Sequence, residues 1–256
     1  MAGVLQPLKV LTVAPRTKHT ATVIFVHGLG DSGHGWKPVA DMFQADQGLG
    51  HVKWILPHSP TRAVTANMGM ELPSWFDIRS FGFDSVEDEE GMMQSVSSLE
   101  QLISQEVKGG IDPSRIILGG FSQGGAMSLL TGFTVKPKLA SIVVLSGWLP
   151  LREKIKNMIL PHATSLPIFW GHGVSDPLIK YQFATGSIEV LESQLGMKVT
   201  RNPGMDGKNK RVGTVPTDGG VVFNSYDGVG HFTTQKELDD VRDWLKQLLP
   251  EKLEKV

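Results

Sequence analysis

No cysteine occurs anywhere in the 256 residues. That absence excludes disulfides, thiolate metal sites, a cysteine nucleophile and S-acylation of the chain itself, and it accords with a reducing compartment. A charge imbalance is missing as well. Against 25 Lys and Arg stand 26 Asp and Glu, a formal net charge of −1, so the basic excess that draws a protein to nucleic acid is not there. Long apolar runs are also lacking. The longest, at 21–26 and 142–145, are strand-sized, whereas a membrane span needs about 20 residues. Between Met1 and Arg16 there is no basic n-region, and Gln6, Pro7 and Lys9 interrupt any apolar stretch, so no signal peptide is expected. Ala2 rather than glycine excludes N-myristoylation, and the final Leu-Glu-Lys-Val is no prenylation box. Together these features predict a cytoplasmic protein.

What is present reads as ordinary globular composition, 40% apolar and 20% charged. The length suits one α/β domain over residues 1–256, with no second core required. Short β-branched runs alternate with longer amphipathic stretches, the pattern of a mainly parallel sheet flanked by helices on both faces. Strands are predicted at 21–26, 52–56, 115–119, 141–145, 167–170 and 220–224. Helices are predicted at 36–45, 86–107, 123–131, 181–195 and 234–249. In the last helix Leu238, Val241, Trp244, Leu245 and Leu248 form an apolar stripe, with Lys, Glu and Asp between them. The acidic run Glu87–Glu90 opposes the positive end of a helix dipole, a solvated N-terminus rather than a metal site. Residues 57–84 and 202–219 read as irregular, and loops of that length tend to be functional. The second holds glycines, prolines and a local basic excess, and is expected to be a flap over the active site.

The chemistry starts at Gly120-Phe121-Ser122-Gln123-Gly124. A Gly-x-Ser-x-Gly match is weak alone, but this one follows the apolar Arg-Ile-Ile-Leu-Gly and precedes a helical stretch. Strand, sharp turn and helix make a nucleophile elbow, which exposes the Ser122 hydroxyl at a helix N-terminus. A hydroxyl needs a base. Of His162, His172 and His231, the three histidines C-terminal to it, His231 sits in a Gly-rich turn between the last strand and the last helix, where its ring can reach the elbow. His172 reads as a strand-end packing or hydrogen-bonding residue. Asp176 follows the 167–170 strand and is expected to orient the base, with Asp227 and Asp218 as alternatives. Oxyanion donors are expected from the backbone of Gln123, after the nucleophile, and of Leu29, in the loop after the first strand. That loop also spells Gly28-x-Gly30-x-x-Gly33, the dinucleotide fingerprint. The next strand ends on Pro57 and His58 with no carboxylate, however, and Trp36 and Pro38 predict a loop rather than a helix opening at the glycines.

Taken with Pro73-Ser-Trp-Phe-Asp-Ile, Ser146-Gly-Trp-Leu-Pro-Leu and Gly171-His-Gly-Val-Ser-Asp-Pro-Leu, these segments resemble the acyl-protein thioesterase and lysophospholipase family of α/β-hydrolases, from about Thr22 to Pro250. The resemblance implies Ser122, Asp176 and His231 as triad, and Leu29 and Gln123 as oxyanion positions. It implies an acyl tunnel lined by Phe81, Trp148 and Leu178, and no metal or cofactor. S-acylated proteins or lysophospholipids would be the substrates of a monomer or weak homodimer that makes peripheral contact with membranes. General carboxylesterase or lysophospholipase activity uses the same machinery, and some relatives of this fold act as non-catalytic receptors. Two departures stand out: the family's usual N-terminal cysteine is absent, and the 202–219 stretch is longer than the family pattern.

Overall fold

The computed structural model describes residues 6–80, 82, 86–202 and 214–251. Its strands are β1 (Val10–Val13), β2 (Ala21–Val26), β3 (Val52–Pro57), β4 (Thr61–Val64), β5 (Met70–Pro73), β6 (Ile116–Phe121), β7 (Ser141–Leu145), β8 (Pro167–Gly173), β9 (Val199–Arg201) and β10 (Gly220–Tyr226). The helices are α1 (Gly33–Ala45), α2 (Glu89–Lys108), α3 (Gln123–Thr134), α4 (Tyr181–Ser193) and α5 (Gln235–Leu248). Eight strands form one sheet in the order β1-β3-β2-β6-β7-β8-β10-β9, while β4 and β5 make a separate hairpin. Every pairing in the large sheet is parallel except β1 with β3. The chain has an α/β-hydrolase fold.

The central strands β2, β7 and β8 are buried along their whole length, which is why they read as continuous apolar runs rather than alternating ones. Successive side chains still feed opposite faces. Ile24 and Val26 enter the core under α2, α3 and α4, whereas Val23 and Phe25 enter the core under α1 and α5. The α5 stripe packs there, with Trp244 against Phe169 at 5.7 Å between ring centroids. Helix starts follow local chemistry: Asp88 accepts from Gly91 N at 3.0 Å to cap α2, and Thr234 accepts from Glu237 N at 3.2 Å to cap α5.

Several expectations need correction. Residues 57–84 are not wholly irregular, because the β4–β5 hairpin lies within them. Helix α1 opens at Gly33, capped by Ser32, and carries Trp36 and Pro38 inside it, so no loop precedes the helix there. The case against a dinucleotide site therefore rests on the missing carboxylate alone. The α2 helix begins at Glu89, and Glu87 lies outside it, accepting instead from Leu151 N at 2.8 Å. The expected flap falls largely on 203–213, outside the described residues, as does Phe81.

Candidate active site

Ser122 joins β6 to α3 with φ 54° and ψ −119°, a backbone conformation that costs a non-glycine residue energy. The turn is held by Ser122 N donating to Leu145 O at 2.8 Å and by Ala126 N donating to Ser122 O at 3.1 Å. Its glycines allow close approach of backbones. A Cβ on Gly124 would overlap the Val26 carbonyl and lie 2.7 Å from His27 O. Ser122 makes no helix cap with its side chain. The hydroxyl is free for another partner.

That partner is His231, whose Nε2 lies 3.0 Å from Ser122 Oγ. On the other side of the ring, Nδ1 lies 2.7 Å from Asp176 Oδ2. An ionised carboxylate can only accept, so Nδ1 carries the proton and Nε2 accepts from the serine hydroxyl. The Asp176 carboxylate is buried, and its Oδ1 accepts from Leu178 N and Ile179 N, both at 2.9 Å. Each of the three residues lies at or just beyond the C-terminal end of a parallel strand, β6, β8 and β10, which is how positions 54 and 55 residues apart meet. Asp218 and Asp227 are exposed, and among the described residues neither bonds to His231. Phe121 packs against the imidazole, with 4.8 Å between centroids and the rings tilted by 46°.

Two backbone donors border the serine. Gln123 N opens α3 and so has no intrahelical acceptor. The direction of Leu29 N follows from its own peptide. Gly28 O accepts from His27 Nδ1 at 2.7 Å and Asp31 N at 3.3 Å, so in a planar trans peptide the Leu29 N–H points the opposite way. Gly28 lies against Ser122, where a Cβ would come 3.3 Å from Ser122 Cβ. Neither donor has an acceptor among the described residues.

Three side chains hold this arrangement, those of His27, Trp75 and Gln123; the sequence pointed to none of the three roles, giving Gln123 only a backbone donor. His27 is buried, and burial lowers its pKa, keeping it neutral. Its Nε2 accepts from Ser59 N at 3.1 Å, which leaves Nδ1–H to fix Gly28 O. Trp75 Nε1 donates to His27 O at 2.9 Å. The buried Gln123 amide spans the segment after β5, accepting from Trp75 N at 2.9 Å and donating to Phe76 O at 2.8 Å. For Trp75 the Pro73-Ser-Trp-Phe segment, noted for its resemblance, was the available signal.

A cavity of about 340 Å³ has Phe76, Ile78, Met92, Trp148, Leu149, Ile179 and Phe183 in its apolar wall and Asp77, Arg79, Glu87 and Arg152 among its polar lining. It is tied to the relay through backbone: Phe76 O binds Gln123, and Ile179 N binds Asp176. Trp148 lines it. Leu178 does not. Its side chain is 52% exposed, because the turn that wraps Asp176 sends Leu178 outward and Ile179 inward. Among the described residues no group of three His, Asp or Glu side chains is arranged to hold a metal ion. No helix among them is long and apolar enough to cross a membrane.

A family model described as Phospholipase/Carboxylesterase matches residues 9–214. Acyl-protein thioesterase 1 of Cryptococcus neoformans var. neoformans serotype D is 46% identical over 245 residues, 94% of this chain and 98% of that protein. Acyl-protein thioesterase 1 of Mycosarcoma maydis is 37% identical over 254 residues, 95% of this chain and 98% of that protein. The crystal structure of Zea mays acyl-protein thioesterase 2 aligns with a TM-score of 0.74 at 28% identity, covering 94% of this chain and 99% of its own. The family match spans most of the chain and the relatives nearly all of it, so this protein belongs to the phospholipase/carboxylesterase family of α/β-hydrolases.

Proposed function

We propose that this chain is a serine hydrolase that removes thioester-linked long-chain acyl groups, palmitoyl above all, from protein cysteines. The observation that carries this reading is the hydrogen-bonded Ser122–His231–Asp176 relay, joined through the Phe76 and Ile179 backbone to a cavity with an apolar wall. Its relatives named acyl-protein thioesterase favour the thioester among the possible acyl substrates.

Ser122 Oγ attacks the thioester carbonyl carbon while His231 Nε2 takes its proton. Leu29 N–H and Gln123 N–H hold the oxyanion as it forms, and such donors act most strongly when fixed in place beforehand. The C–S bond then breaks and the cysteine leaves as thiolate or takes the proton from His231. A thiol with a pKa near ~8.5 is a good leaving group. Once the His231 proton has passed to the sulfur or to solvent, the neutral imidazole takes a proton from the water that attacks the acyl-enzyme. The acyl C–Oγ bond then breaks, Ser122 Oγ recovers that proton from His231, and the free fatty acid departs. Asp176 holds the ring in one tautomer and stabilises the imidazolium throughout. The acyl chain lies along Phe76, Trp148 and Ile179, gaining about 0.8 kcal/mol for each methylene removed from water.

The test compares kcat/KM for a palmitoylated cysteine peptide, a lysophospholipid of the same chain length and p-nitrophenyl acetate. The thioester is expected to exceed the lysolipid. The opposite ranking supports the lysophospholipase or general carboxylesterase reading, and no turnover of any substrate supports a receptor.

A further inference from the structure

The strand-end histidine His172 takes no part in the relay, yet its side chain is 0% exposed and lies beside the relay's carboxylate. Its Nε2 is 2.8 Å from Ile179 O. A carbonyl can only accept, so Nε2 carries the proton, and Nδ1, buried without a partner among the described residues, is unprotonated. The same Nε2 lies 3.7 Å from Asp176 Oδ2, the oxygen that receives His231. That is too long for a hydrogen bond but close enough for the N–H dipole to act on the charge. Ile179 links the two. Its N–H holds Asp176 Oδ1, its C=O is held by His172, and its side chain lines the cavity. Tyr181 braces the imidazole edge-on at 6.1 Å between centroids.

We propose that His172 is a positioning residue that, by clamping Ile179, fixes the Asp176 carboxylate for His231 and joins the acid to the wall of the acyl cavity. The proposal rests on the reading of Asp176 as the orienting acid. Without the clamp, the turn at 176–179 can relax, and the carboxylate loses the geometry that aligns the imidazole with Ser122. A displacement of about 1 Å in such a relay is enough to cost on the order of 100-fold.

The test is a double-mutant cycle read by single-turnover acylation with p-nitrophenyl acetate, with Tm recorded for each protein. His172→Phe keeps a ring against Tyr181 but removes the donor, and His172→Leu replaces it if that variant does not fold. His172→Gln keeps a side-chain N–H able to reach Ile179 O. The donor-less variant is expected to lower the acylation rate by roughly 10- to 100-fold. His172→Gln should recover most of that loss. In an Asp176→Asn background, removing the donor should cost less than about threefold, because the residue it acts through is already gone. The downfield NMR signal of the His231 Nδ1 proton should move in His172→Phe and return in His172→Gln. Equal fold losses in both backgrounds, or a lowered Tm with an unchanged rate, overturn the inference while leaving the triad intact. Full activity in Asp176→Asn overturns the triad reading and this inference with it.

Discussion

Ser122 is held at φ 54° and uses its hydroxyl on His231 rather than on the helix it precedes, so its cost is structural and its benefit chemical. Ser122→Ala should therefore abolish ester and thioester turnover. Because no core volume is lost and no cap is removed, its unfolding free energy in urea should stay within about 1–2 kcal/mol of the parent. Asp176→Asn tests the acid differently. Asp176 Oδ1 accepts two backbone N–H groups, so an asparagine would keep its oxygen there and turn its NH₂ toward His231 Nδ1. The ring would then carry its proton on Nε2 and could not accept from Ser122. A loss on the order of 10⁴ in kcat is expected, checked by steady-state kinetics on a purified, folded protein. Residual acylation should discriminate between leaving groups. A thiolate departs without much help, whereas an alkoxide needs a proton from His231, so single-turnover acylation by an oxygen ester should fall further than by a matched thioester. Equal falls would reject this account.

The turn from β6 into α3 packs against the end of β2 without room for a side chain, and this close approach is what places Ser122 beside the Leu29 loop. Gly124→Ala should lower stability by at least about 3 kcal/mol, since the added methyl meets fixed backbone that cannot move without shifting β2. Gly125→Ala is the control. Its Cβ would find Gly120 O at 3.1 Å and a flexible Val144 methyl at 3.2 Å, so a smaller change in Tm is expected. The same contrast explains which elements were legible. Buried strands such as β2 and β7 announce themselves by apolar runs. The unpredicted β1 and β4 are four residues long, and β1 sits at the sheet edge with alternating exposure, so little in either sequence separates it from a loop. The β9 strand is three residues and pairs only with β10 on the opposite edge. The start of α1 was read three residues late because Trp36 and Pro38 suggested a loop, whereas Ser32 caps the helix at Gly33.

At the scale of the molecule, parallel topology brings the relay together, because it sets the C-terminal ends of β6, β8 and β10 along one edge. Ser122, Asp176 and His231 were thus legible from motif and order alone. The cavity wall was not, since choosing between Leu178 and Ile179 requires the path of a turn wrapped around a carboxylate. Glu237 was the other hidden feature. In the α5 pattern it reads as one of the solvated charges between apolar positions, but it is 1% exposed and neither of its carboxyl oxygens has a hydrogen-bond partner among the described residues. Gly171 of β8 leaves the room it occupies. Burial pushes its pKa up to about 8 from an ordinary 4.5, with nearby Asp240 adding to the rise. In the unfolded chain the same group ionises near 4.5. Between these values the folded state holds a proton that the unfolded state has released, so stability falls as pH rises from about 4.5 to about 8 and then levels off. Glu237→Gln carries no such linkage, and whatever its amide costs is independent of pH. The Tm of Glu237→Gln relative to the parent should therefore climb steadily across that window by calorimetry, while parallel curves for the two proteins would show that the buried carboxyl is not what titrates.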